Sequence, residues 1–287
     1  MDNEQKNIVI TSAVRTAIGG FCGFLKDMRA HELGSVVIKE AVKKSNLKLE
    51  DVDELIMGQV LTASVGQNSA RQAAIKAGIP IEKTAYVINQ VCGSGLRSVV
   101  AGYHSIKSGD SKIIIAGGQE SMSNAPHTIR FRRGQKLEEK NLIDTMIKDG
   151  LWDAFNGYHM GVTAENVADR WNISREEQDE FALLSQNKNE KAKKEGKFKD
   201  EIVPIVVKSK DGNFKFEVDE HPREGMTIDR LQKLKPSFKK NGTVTAGNAS
   251  GINDGAAVVV LMTDIEAKKR NLQPLAKIVS WATCGVD

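Results

Sequence analysis

A cysteine enclosed by small and polar residues, in Asn89-Gln90-Val91-Cys92-Gly93-Ser94-Gly95-Leu96-Arg97-Ser98, carries the clearest chemistry in the 287-residue chain. The preceding Ala85-Tyr86-Val87-Ile88 is β-branched and aromatic and predicts a buried strand. Leu96, Val99, Val100 and Tyr103 recur at helical spacing, with Gly109 placed as a stop. Cys92 is therefore expected at a strand-to-helix junction. Unpaired backbone N–H groups and the positive end of a helix dipole favour a thiolate there. Gly93 and Gly95 remove neighbouring side chains, so that backbone donors can approach a carbonyl attacked by the sulfur.

Free cysteine most often packs as a small apolar side chain. The two glycines, the Asn-Gln lead-in and the junction argue instead for a nucleophile. Two other motifs fail in detail. The run from Gly93 to Ser98 lacks the third glycine of a dinucleotide fingerprint. Papain-type proteases share the order Cys-Gly-Ser but continue with a second Cys, where Gly95 stands here.

The elements that must position this thiol follow from the pattern around it. Strands are predicted at 7–10, 54–58, 112–116 and 257–262, and helices at 32–45 and 68–77, the latter ended by Gly78 and Pro80. This alternation predicts an α/β layered sheet. From about Ser121 the composition turns to Ser, Asn, Pro, Arg and Lys, which marks an inserted region. Within it Ser174-Arg175-Glu176-Glu177 is a capping box opening a helix to about Glu195, with Gly196 as its stop. The lysines at 188–199 read as that helix's solvated face. Residues 277–281 predict one more strand.

Bulk properties narrow the class. The net charge of +4 is small for this length and argues against a nucleic-acid binder. Three widely spaced cysteines, Cys22, Cys92 and Cys284, suit a reducing compartment better than a disulfide framework. The acidic, polar start does not resemble a targeting peptide. The longest apolar run, 256–262, falls far short of the roughly 20 residues that span a membrane. A cytoplasmic protein is expected.

Asn89 to Ser98 resembles the nucleophile motif of the thiolase family, nearest to its acetoacetyl-CoA type. Further stretches agree in order: Arg15-Thr16-Ala17-Ile18-Gly19, Gly66-Gln67-Asn68-Ser69-Ala70-Arg71-Gln72, Gly117-Gly118-Gln119-Glu120-Ser121-Met122-Ser123, Tyr158-His159-Met160-Gly161, and Gly247-Asn248-Ala249-Ser250-Gly251-Ile252-Asn253-Asp254-Gly255-Ala256. The resemblance implies two similar α/β halves, each with a mixed sheet, around a shared helical layer, with a loop domain inserted in the first half. Residues 1–121 and 247–273 then correspond to the first α/β half, 122–246 to the CoA-binding and oligomerisation loop domain, and 274–287 to the opening strand of the second half. The rest of that half is expected to be missing.

The implied activity is acyl-CoA C-acyltransfer, forming or cleaving acetoacetyl-CoA through an acyl-cysteine. The alternatives are a longer-chain 3-ketoacyl-CoA thiolase and a non-catalytic or split-chain CoA-binding fragment. Cys92 matches the nucleophile. The family's activating His, its second catalytic Cys in Cys-x-Gly-Gly-Gly, and a water-orienting Asn lie in the second half and have no counterpart here. His159 matches a residue contacting the pantetheine arm. Arg223 matches the arginine near the adenine nucleotide. Leu151, Met160, Leu234, Phe238, Ala246 and Ser250 match positions lining the pantetheine and adenine channel. Arg230 departs from the small polar residue common in relatives. Arg130-Phe131-Arg132-Arg133 falls near the family's tetramerisation loop and reads equally as a solvated turn. His31, His127 and His221 adjoin polar, loop-like sequence and receive no role; His104 is expected to pack or face solvent. No permanently bound cofactor and no metal are expected. CoA, acetyl-CoA and acetoacetyl-CoA are the implied partners, and the family implies a homo-oligomer, dimer or tetramer. The Cys92 helix, with Leu96, Val99 and Val100, should belong to the layer covered by the second half.

Overall fold

The computed structural model describes residues 7–129, 142–209 and 212–286. In chain order the first part contains β1 (Ile8–Thr16), β2 (Gly19–Gly20), α1 (Ala30–Lys44), β3 (Glu54–Gly58), α2 (Ser69–Ala77), β4 (Thr84–Ile88), α3 (Ser94–Ser108) and β5 (Ile114–Ser121). The inserted region adds β6 (His127–Thr128), β7 (Ile143–Asp144), a π-helix over Met146–Leu151, α4 (Met160–Trp171), α5 (Arg175–Lys194), β8 (Ile202–Val203), β9 (Ile205–Ser209), β10 (Gly212–Phe216) and α6 (Ile228–Gln232). The chain then returns through β11 (Asn253–Thr263), α7 (Asp264–Lys269) and β12 (Ala276–Lys277).

The main sheet is mixed, in the order β12-β1-β11-β5-β3-β4. Strand β11 runs antiparallel to both β1 and β5, whereas β3 is parallel to β5 and β4. Its strands alternate at period 2 and both faces are apolar. Leu55, Met57, Ile115, Val258 and Met262 join the large core with α1 and α2. Ile56, Ile114, Ala116 and Leu261 turn to the opposite face and meet Ile106 of α3. The architecture is an α/β layered fold with a mixed sheet and an insertion, as expected.

Element ends follow local chemistry. Asn68 caps α2 by accepting the Arg71 N–H (3.1 Å), Gly78 and Gly109 close α2 and α3 at positive φ, and the Ser174/Glu177 capping box opens α5. Arg15 of β1 ties the sheet to the insert through Asp219 (2.7 Å) and Glu201 (2.7 Å). Among the described residues no helix is long and apolar enough to cross a membrane.

Three expectations change. Strand β4 is an edge strand, paired only with β3, and Tyr86 is half exposed, so residues 85–88 are not buried. Helix α3 turns Ser94, Ser98, Gly102 and Ile106 inward and leaves Leu96 79% exposed, on the outward face expected for the layer that a second half would cover. Space decides this: a Cβ on Gly102 would already lie 2.9 Å from Leu261 Cδ1 and 3.1 Å from Ile114 Cγ2, so only small side chains fit that close to the sheet. The strand over 277–281 shrinks to β12, which pairs with Val9 and Ile10, while Trp281 leaves the sheet and packs on α3 against His104 (5.1 Å). His31 sits in α1 and is buried, with Nδ1 lacking a partner among the described residues, and burial lowers its pKa. The Arg130–133 cluster lies outside the described residues.

Candidate active site

Cys92 lies just before the Gly93 cap of α3, as its setting predicts, and its thiol is exposed. The turn that carries it is tightly bonded. Asn89 Oδ1 accepts the Val91 N–H (2.9 Å), and the Ser94 hydroxyl accepts the Gln90 N–H (2.8 Å) while donating to the Val91 carbonyl (2.5 Å). Val91 adopts φ +47°, a conformation a β-branched residue rarely takes. Such strain persists only where the surroundings over-determine it. Here they do, because α3 lies directly on the strands beneath it. A Cβ on Gly58 would come within 2.3 Å of the Ser94 carbonyl carbon and 2.5 Å of the Gly95 nitrogen. The buried Ser98 hydroxyl then reaches the Gly117 carbonyl at 2.7 Å. The N–H groups of Cys92, Gly95 and Leu96 have no hydrogen-bond partner among the described residues, which leaves donors beside the sulfur.

Cys92 opens onto a cavity of about 430 Å³. Val91, Leu61, Met122 and Leu151 give it apolar walls, and Gly58, Gly118 and Gly255 let the backbone form its floor. Two carboxylates stand in the same cavity. Glu120, largely buried at the end of β5, accepts the N–H groups of Val60 (2.8 Å) and Leu61 (3.1 Å). Burial raises its pKa and neighbouring Asp254 adds to the rise, against the lowering effect of the two backbone bonds. Asp254, fully buried, accepts the backbone N–H (2.9 Å) and hydroxyl (2.5 Å) of Ser123. In its lining the buried side-chain oxygen Oε1 of Gln59 accepts from Ser69 Oγ (2.5 Å) and Gln119 Nε2 (3.0 Å). Among the described residues no histidine lines this cavity, and none of the described His, Cys, Asp and Glu residues form a metal-binding group.

Of the candidate channel residues only Leu151 shares the Cys92 cavity. His159 caps α4, its Nδ1 accepting the Gly161 N–H (3.0 Å), and its ring stacks on Phe238 at 4.9 Å. That stack depends on Gly161, since a Cβ there would fall 2.3 Å from the Phe238 ring. Met160, the first residue of α4, is partly exposed. Leu234 packs over Gly247, and its carbonyl accepts from Arg175 (3.1 Å). Ala246 and Ser250 are exposed in the segment before β11. Arg223 is exposed; its N–H donates to Gln186 Oε1 (3.0 Å) and its guanidinium has no partner among the described residues. Arg230 reaches the Gly225 carbonyl at 3.3 Å. The buried Glu165 secures the 243–245 segment by accepting the Thr243 and Val244 N–H groups (2.9 Å each). Sequence reading did not single out Glu120, Asp254 or Glu165. The first two stand inside recognised motifs, which was the available signal.

Residues 8–264 match the family model described as thiolase, N-terminal domain. An acetyl-CoA acetyltransferase of Rhizobium meliloti (strain 1021) is 59% identical over 281 residues, covering 98% of this chain and 72% of that protein. The cytosolic acetyl-CoA acetyltransferase of Mus musculus is 51% identical, with 98% and 71% covered. The crystal structure of the Bacillus anthracis acetyl-CoA acetyltransferase superposes with a TM-score of 0.95 at 44% identity, covering 100% of this chain and 73% of that one.

Proposed function

Because this chain belongs to the thiolase family, we infer that it is an acetyl-CoA C-acetyltransferase that carries the acyl group on Cys92. The sulfur attacks the thioester carbonyl of an acyl-CoA, the carbonyl oxygen takes up negative charge, and collapse of the tetrahedral adduct expels CoA and leaves acyl-Cys92. The free N–H of Cys92 is suited to hold that oxygen, and preorganised donors of this kind are the strongest aid to acyl transfer. CoA returning to the acyl-cysteine regenerates acyl-CoA; an acetyl-CoA carbanion attacking it makes acetoacetyl-CoA. The observation that carries the reading is the exposed thiol, before the first turn of α3, opening onto an apolar cavity of about 430 Å³.

The CoA arm is proposed to lie along the insert. His159 and Phe238, stacked, with Met160, Leu151 and Leu234, offer apolar contact to pantetheine, and Ala246 and Ser250 continue the wall. The guanidinium of Arg223, without a partner among the described residues, suits a phosphate. CoA serves as substrate and product and is not a resident cofactor. The base that activates Cys92 belongs, by resemblance, to the family's second half. A cytoplasmic homo-oligomer completes the proposal.

Exchange of labelled CoA into acetyl-CoA isolates the half-reaction that Cys92 performs. Exchange is expected when the wild-type chain is supplied with that second half and not when it carries Cys92→Ser, and Arg223→Ala should weaken CoA while sparing a pantetheine thioester. Equal exchange by Cys92→Ser would overturn the assignment.

A further inference from the structure

We propose that Glu120 is a positioning residue for Cys92, acting through the turn at 59–61. Its two carboxylate oxygens hold the Val60 and Leu61 N–H groups at 2.8 and 3.1 Å. That turn is fastened in turn to the nucleophile segment. The Gln59 N–H donates to the Ile88 carbonyl (3.1 Å), and the Asn89 amide reaches the Val60 carbonyl (3.4 Å). Asn89 then fixes the Val91 N–H with its other side-chain atom (2.9 Å). Val91 is the residue at φ +47°, next to the thiol. A partly buried acid thus holds one end of a short relay whose other end is the strained residue that orients Cys92.

The role needs two acceptors, which only the carboxylate provides. Protonation turns one oxygen into a donor facing an N–H group and loosens the turn. Burial and the facing Asp254 of β11 both raise the Glu120 pKa. The other titratable groups on the same cavity are Cys92 itself and Arg15 of β1, and Arg15 is committed to Asp219 and Glu201. Cys92 reactivity should therefore fall as pH drops through the Glu120 ionisation, a step separate from that of the thiol.

The test uses the Cys22→Ser/Cys284→Ser background, since both of those thiols are also exposed, and a 2-pyridyl disulfide, which reports thiol reactivity into the acid range. This readout does not depend on acyl transfer, so it can fail while the proposed function stands, and the reverse. With Glu120 intact an acid step is expected in the rate profile. Glu120→Gln should remove the step and slow the reaction at neutral pH about tenfold, as expected for loss of one charge-assisted bond. Asp254→Asn should move the step to lower pH, because a like charge has gone. Asn89→Ala, which cuts the relay at its far end, should slow the reaction with the Glu120 carboxylate untouched. If Glu120→Gln fails to fold, the Asp254 and Asn89 variants decide. Wild-type rates and an unmoved profile in those variants would overturn the proposal.

Discussion

Around Cys92 the elements approach one another by subtraction: Gly58, Gly95, Gly102 and Gly118 lack side chains, and α3 settles onto the strands with backbone against backbone. In the insert the contacts are made by addition. Buried carboxylates reach out and collect hydrogen-bond donors, Glu165 from Thr243 and Val244, and Asp179 from Arg175 (2.8 Å) and Asn248 (2.9 Å). Close backbone packing leaves little freedom and suits a nucleophile that must be placed within fractions of an ångström. Side-chain struts across longer gaps suit a channel wall that need only exclude water and grip a long substrate. Glu120 and Asp254 are the exceptions, carboxylate struts in the glycine-packed region.

Substitutions can break the two modes separately. Gly58→Ala should have the largest effect. Its Cβ would collide with the backbone of Ser94 and Gly95, and overpacking of this kind costs up to about 3 kcal/mol. Denaturant midpoints and Cys92 labelling should both fall. Glu165→Leu comes next. It strands buried N–H groups of Thr243 and Val244 at about 2 kcal/mol, yet Cys92 labelling should stay at the wild-type rate, because the 243–245 segment does not line its cavity. Loss of labelling here would erase the distinction. Ser174→Ala removes the α5 cap and should cost about 1 kcal/mol, visible in thermal unfolding without change at Cys92.

The smallest effect is confined to acid. Burial lowers the His31 pKa from its ordinary 6.5, so the unfolded chain takes up a proton before the folded one does. Stability is then lost as pH falls below about 6.5 and continues to fall until the folded-state pKa is passed. A His31→Asn variant should flatten that slope in a melting-temperature series, and an unchanged slope would remove His31 as its source.

The two regions also differ in how far they could be read from sequence. The thiol, the glycines and the helix caps at Gly78, Gly109 and Ser174 are local signals, and each appears where it was expected. The inward stripe of Ser94, Ser98, Gly102 and Ile106 was not legible, because spacing reports an apolar stripe and not which side of the helix has room for small residues. Nor was the edge position of β4, which depends on what lies beyond residue 88 in space. Residues 277–281 carry strand-forming side chains, but the pairing with β1 ends at Ile278, whose N–H donates to the Ile8 carbonyl (3.0 Å). Glu120, Asp254 and Glu165 stayed hidden because a buried acid and a solvated one look alike in sequence, and only the fold shows which N–H groups it meets.

The central claim is that this fold makes Cys92, and neither of the other two exposed cysteines, the acyl acceptor. Incubation with acetyl-CoA followed by peptide mapping of Cys22, Cys92 and Cys284 tests it directly. Acetyl thioester confined to the Cys92 peptide is predicted; an unmodified Cys92, or equal acetylation of the three, would contradict it.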